Sequence, residues 1–171
     1  AAPVILRRAA AAEWNELSAT GTGGTLTIRH ADISGGTVRF MSGVTGLMED
    51  TKVHDSTASK IVYSLDAVSA TLRRCHVFNY AETNFVTTLT VLENSLFEAP
   101  TADAVDFDGA PPGSAIRQCT FRNGPGGTNT DAVDIGPSPF NGAPCRDVVI
   151  EGCMMHNFSD KGVSVGDAPN D

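Results

Sequence analysis

The chain repeats one local pattern of apolar and polar positions. Six times an apolar residue is followed by another five positions later, in the pairs Ile28/Ile33, Met48/Val53, Leu72/Val77, Val91/Leu96, Ile116/Phe121 and Ile150/Met155. The leading members lie 20, 24, 19, 25 and 34 residues apart. Repeats of this length cannot bury an apolar face alone and must stack on their neighbours, which defines a solenoid. Taking the first apolar residue as position zero, position three is Ala31, Thr51, Cys75, Asn94, Cys119 and Cys153. Positions zero, three and five are expected to point inward, and positions one, two and four outward.

The flanking runs are rich in Val, Ile, Thr and Phe and punctuated by Gly, so strands fit the pattern and a helix of period 3.6 does not. A second apolar run follows each motif at variable distance: TVRF, KIVYSL, NFVTTL, AVDF, AVDI and GVSV. Each coil should therefore hold at least two strands, with loops absorbing the differences in coil length, since loop-closure entropy rises only logarithmically. The expected fold is all-β, a right-handed parallel β-helix of about six coils. Coils should start near residues 5, 26, 47, 71, 90, 115 and 148 of a single domain spanning 1–171. Neither end carries an evident cap, which reads as a segment of a longer solenoid able to associate end to end through open coils. The Ala-rich stretch 8–13 could form one helical turn, and GTGG at 21–24 reads as a turn before a strand.

Charge adds a second register. Position one reads Arg29, Glu49, Arg73, Leu92, Arg117, Glu151, and position two reads His30, Asp50, Arg74, Glu93, Gln118, Gly152. Same-position residues on adjacent strands are roughly 4.8 Å apart, where alternating signs attract and like signs repel. Position seven carries Asn79, Asn123 and Asn157, a residue type that tolerates the left-handed corner conformation.

With these motifs in place, NTDAVDIGPS, RDVVIEGCMMHNFSDKGVSVGD and TLTIRHADISGG resemble the right-handed parallel β-helix repeat (pectin lyase-like) superfamily. That superfamily contains pectate lyases, polygalacturonases, alginate and chondroitin lyases and phage tailspikes. The similarity covers residues 24–167 and is nearest to β-helix regions of large bacterial surface proteins. It implies a secreted or cell-surface bacterial location and a polysaccharide or further solenoid segments as partners.

Composition narrows the classes. Twelve basic against twenty acidic side chains give a net charge of −8, which disfavours nucleic acid and anionic membranes. No apolar run is long enough to span a bilayer. Of four cysteines, Cys75, Cys119 and Cys153 share an inward position and read as small core residues, not as a disulfide framework. Cys145, in a loop, should be the thiol that reacts first. The four histidines scatter over the repeat and read as separate surface residues.

Candidate chemistry concentrates in an acidic ladder. Aligned on Val105, Val133 and Val163, one column reads Asp103, Asp131, Lys161 and the next Asp106, Asp134, Ser164. Both columns are expected to face solvent. Stacked carboxylates repel, and a cation, a shared proton or Lys161 would relieve them. Two readings compete: a hydrated acidic face, or a ligand site at Asp103, Asp106, Asp131, Asp134 and Lys161. In the second, the four carboxylates could take Ca²⁺, the hard cation that suits oxygen ligands. NTDAVDI also resembles the NTDGID segment of polygalacturonases, but the paired Asp-Asp of the next coil is replaced by Asp160-Lys161, so an inverting hydrolase lacks its second carboxylate. A uronate polysaccharide lyase, with Lys161 as base beside Asp131 and Asp134, needs fewer missing parts. The leading functional expectation is an extracellular structural or carbohydrate-binding module, with the polysaccharide-active enzyme as the alternative.

Overall fold

The computed structural model describes residues 4–7, 15–124 and 130–166. Among them every regular element is a strand, and the strands form three parallel sheets of seven, seven and six members. The chain visits the sheets in fixed rotation, making a right-handed parallel β-solenoid. The first sheet runs from Val4–Arg7 through Ala31–Ser34, Lys52–His54, His76–Tyr80, Leu96–Pro100 and Thr120–Arg122 to Met154–His156. The second runs from Glu16–Ala19 through Thr37–Phe40, Lys60–Leu65, Glu82–Val86, Val105–Asp108 and Val133–Gly136 to Val163–Val165. The third joins Thr25–Arg29, Thr45–Glu49, Ser69–Arg73, Leu89–Glu93, Ala115–Arg117 and Val149–Glu151. The expected minimum of two strands per coil is exceeded by one: the five-residue motif itself straddles the bend from third sheet to first. The proposed helical turn at 8–13 lies outside the described residues.

Why the motif bends where it does follows from two positions. Position two is left-handed in all coils from His30 to Gly152, with φ near +50° at His30, Asp50, Arg74, Asn94 and Gln118. That single residue turns the chain by one face, so positions zero and three both point inward across the corner. Position seven is likewise left-handed at Gly35, Asp55, Asn79, Ala99, Asn123 and Asn157, which makes the second corner. Five of these six are Gly, Asn or Asp, the types that reach this region at least cost.

The fourth coil corrects the sequence reading by one residue. Leu92, not Val91, pairs with Leu72 and Ile116, and Phe97, not Leu96, pairs with Val77 and Phe121. Leu92 and Phe97 are fully buried, whereas Val91 and Leu96 are half-exposed. Position three is then Ser95, and Asn94 takes the left-handed corner. Ser95 Oγ donates to Glu93 O at 2.8 Å and accepts from Cys75 N at 3.1 Å. Thr51 Oγ1 does the same between Glu49 O and Ala31 N. Position three therefore ties each coil to the preceding one.

With that shift the outward row of the third sheet reads Arg29, Glu49, Arg73, Glu93, Arg117, Glu151 without a break. Arg29 Nε lies 2.7 Å from Glu49, Arg73 Nε 2.8 Å from Glu93, and Arg73 Nη1 3.3 Å from Glu49. At the corner, Arg74 holds Asp50 with two bonds of 2.7 and 2.8 Å.

The interior is a set of stacked columns. Ile28, Met48, Leu72, Leu92 and Ile116 form one, and Ile33, Val53, Val77, Phe97 and Phe121 another, with the Phe97 and Phe121 rings stacked at 5.1 Å. Phe40 lies so close over Gly46 that a Cβ there would meet its ring at 2.5 Å, so a side chain at 46 is excluded while Phe40 stays put. The four cysteines are free thiols; Cys75 and Cys119 are buried, and Cys145 and Cys153 are half-buried.

Candidate functional site on the second sheet

The second sheet carries the acidic ladder in the expected register, with Val105, Val133 and Val163 in line and Asp106, Asp134 and Ser164 beside one another. The outward column extends further back: Ser18, Arg39, Tyr63, Asn84, Asp106, Asp134 and Ser164 are successive cross-strand partners. Basic and aromatic groups stand at one end. Arg39 pairs with Glu16 at 2.8 Å and its guanidinium carbon lies 5.3 Å from the Tyr63 ring centroid. A register shift between Glu82 and Thr83 sets Lys60 opposite Glu82, and the two form an ion pair.

The Asp103/Asp131/Lys161 column does not face solvent as a bare row of charges. Asp131 is only 4% exposed. Asp103 Oδ1 accepts from the backbone N–H of Asp131 at 2.7 Å, and Asp131 Oδ1 accepts from the backbone N–H of Lys161 at 2.7 Å. Both acids sit in bends just before their strands, where the inside-outside alternation of the strand does not set side-chain direction. Each thus satisfies an amide that enters the next strand, while Asp106 and Asp134 of the second column stand on the outward side of the sheet. Lys161 Nζ lies 3.9 Å from Asp131 Oδ2 but 2.9 Å from Asp160 Oδ2, and the bond to Asp160 holds its pKa up.

The outward carboxylates crowd. Asn84 Nδ2 donates to Asp106 Oδ2 and also, at 3.0 Å, to Asp108 Oδ2. Burial is the leading cause that raises the pKa of each of Asp103, Asp106, Asp108 and Asp134. For Asp106 the rise reaches about 7, with Asp108 and Asp134 adding repulsion and Lys60 and Asn84 opposing it. Burial also lowers the pKa of Lys60 against the pull of Asp106, Asp108 and Asp103. Among the described residues no three acid, His or Cys side chains converge as a metal-binding group. Asp103, Asp106, Asp131 and Asp134 are split between two columns with different hydrogen-bond partners.

Lys60, Asn84 and Asp108, like Arg39 and Tyr63, were not assigned to a site from sequence. Alignment of NFVTTL with AVDF would have placed Asn84 beside Asp106; the bulge that brings in Lys60 leaves no sequence signal. On the first sheet, His54 and His76 are not isolated either. His54 lies 3.0 Å from Asp32 and 2.8 Å from Asp55, with its ring stacked on Phe78 at 4.4 Å, and His76 lies 3.1 Å from Glu98. The loop after Val133–Gly136 is pinned by Cys145, whose thiol contacts Phe107 O and Gly136 O at 3.2 Å and accepts from Ala110 N at 3.0 Å.

Comparison of the chain with family models, with curated proteins and with solved structures returned no significant match. The fold defines the class, a parallel β-solenoid.

Proposed function

We propose that this chain is an extracellular module of the pectin lyase-like β-helix class that binds polysaccharide along the outward face of the second sheet. The observation that carries this reading is the continuous cross-strand column of Arg39, Tyr63, Asn84, Asp106 and Asp134. A row of guanidinium, phenol and carboxylates on rungs roughly 4.8 Å apart, with the buried Asn84 bracing its middle, suits an extended hydroxyl-bearing polymer lying across the strands. A secreted or cell-surface bacterial setting goes with that ligand class.

The alternative, a polysaccharide-active enzyme, has weaker support. Lys161 is engaged by Asp160, and Asp131 holds a backbone amide, so the lyase set of Asp131, Asp134 and Lys161 has neither a free base nor a convergent cation site.

Affinity electrophoresis in gels cast with neutral glucans, galactans and mannans, and with polygalacturonate or alginate, tests the proposal. Migration should be retarded by at least one polymer, and Tyr63→Ala and Arg39→Ala should abolish the retardation. Free migration in every gel would sink it. Accumulation of unsaturated uronate products on incubation would favour the enzyme instead.

A further inference from the structure

Two buried polar atoms of neighbouring second-sheet strands are acceptors without a donor. Asn84 is 3% exposed, and its side-chain carbonyl Oδ1 is buried with no hydrogen-bond partner. Asp106 Oδ1 is buried and unpartnered in the same way. The two residues are direct cross-strand partners and are already joined by one bond, from Asn84 Nδ2 to Asp106 Oδ2. The second N–H of Asn84 is spent on Asp108 Oδ2. A buried oxygen left without a donor is costly, and two side by side more so.

One proton satisfies both oxygens. We infer that Asp106 is a proton-binding site, in which the neutral carboxylic acid donates from Oδ1 to Asn84 Oδ1 while Asn84 Nδ2 donates to Asp106 Oδ2. This is the cyclic two-bond pairing of a carboxylic acid with a carboxamide, and each atom of the ring has its proper role. The proton comes from solvent and returns to it, with no other species required.

The surroundings fix when it is held. Lys60 and Asn84 act on Asp106 from the two preceding strands, Asp108 from its own strand and Asp134 from the following one. Lys60 favours the anion, but it is itself paired with Glu82. Burial and the Asp108 and Asp134 carboxylates favour the acid. Loss of the proton breaks the ring and adds a charge next to Asp108 and Asp134, so this rung switches between a closed neutral pair and an open anionic one. The inference does not depend on any polysaccharide.

Carboxyl-carbon NMR of protein labelled at aspartate tests it directly. One aspartate resonance should titrate with a midpoint near 7, the position to which its environment raises Asp106, and the Asn84 side-chain amide should move with the same midpoint. Asp106→Asn, which keeps the shape and offers an amide in place of the acid, should delete that resonance. If every aspartate titrates in the ordinary acid range, or the neutral midpoint survives in Asp106→Asn, the inference is wrong. The wild-type titration alone decides the first point even should the variant fail to fold.

Discussion

The side chain of Asp131 reaches forward one coil to accept the backbone N–H of Lys161 at 2.7 Å, as Asp103 does for Asp131 itself. The two acids therefore act as relays between coils, each closing an amide that the ladder of the second sheet leaves open at its entry.

Substitution at Asp131 separates charge from hydrogen bonding. Asp131→Ala removes the acceptor of the Lys161 amide and should cost about 1–3 kcal/mol in denaturant unfolding. Asp131→Asn keeps an acceptor at the same place and should cost clearly less. Equal losses in the two variants would show that the carboxylate charge, not the bond, matters.

The register of the fourth coil has its own check. Leu92→Ala opens a cavity in the central column and should cost about 2–5 kcal/mol, whereas Val91→Ala, on the half-exposed side, should cost well under half of that. The reverse ranking would restore the Val91/Leu96 alignment.

Thiol reactivity should follow burial. Burial pushes the Cys75 thiol up to about 11 and Cys119 up to about 12, so neither supplies thiolate at pH 8. Cys145 and Cys153, both only partly buried, should label before either of them. Mass spectrometry of partially labelled protein reads the order, and early modification of Cys119 would contradict the packing.

Stability should fall as pH rises toward neutrality. Asp106 has a folded pKa above its unfolded one, so between about 4 and about 7 the folded state binds a proton that the unfolded chain has released. Its contribution is present below that window and is lost as pH climbs through it. The upward directions at Asp103, Asp108 and Asp134 act with the same sign. Asp106→Asn should therefore be the more stable protein at pH 8 and should show a flatter profile between pH 5 and 8 in urea melts. An unchanged slope would remove Asp106 as its source.

The sequence carried the solenoid because its two corner residues leave a fixed apolar spacing around them. It was ambiguous where two spacings coincide: in VLENSLFE both Val91/Leu96 and Leu92/Phe97 are five apart. Charge held the tie-breaker, since only the second choice sets Glu93 between Arg73 and Arg117. The acidic site was legible as columns and illegible as chemistry. Strand alternation gives direction within Val105–Asp108, but Asp103 and Asp131 precede their strands. Nothing local announces that their oxygens turn to amides about thirty residues on, or that Asn84 completes the cluster.

The unbroken Arg29, Glu49, Arg73, Glu93, Arg117, Glu151 row has a period of two coils, while the apolar interior has a period of one. Excising the coil that carries Arg73 would leave every core column intact yet set Glu49 against Glu93, and duplicating it would set Arg against Arg. Length changes by gene duplication or deletion are therefore parity-restricted: a lineage can add or shed coils in pairs at little electrostatic cost, but an odd number calls for a compensating charge reversal. The surface of this solenoid counts in twos what its core counts in ones.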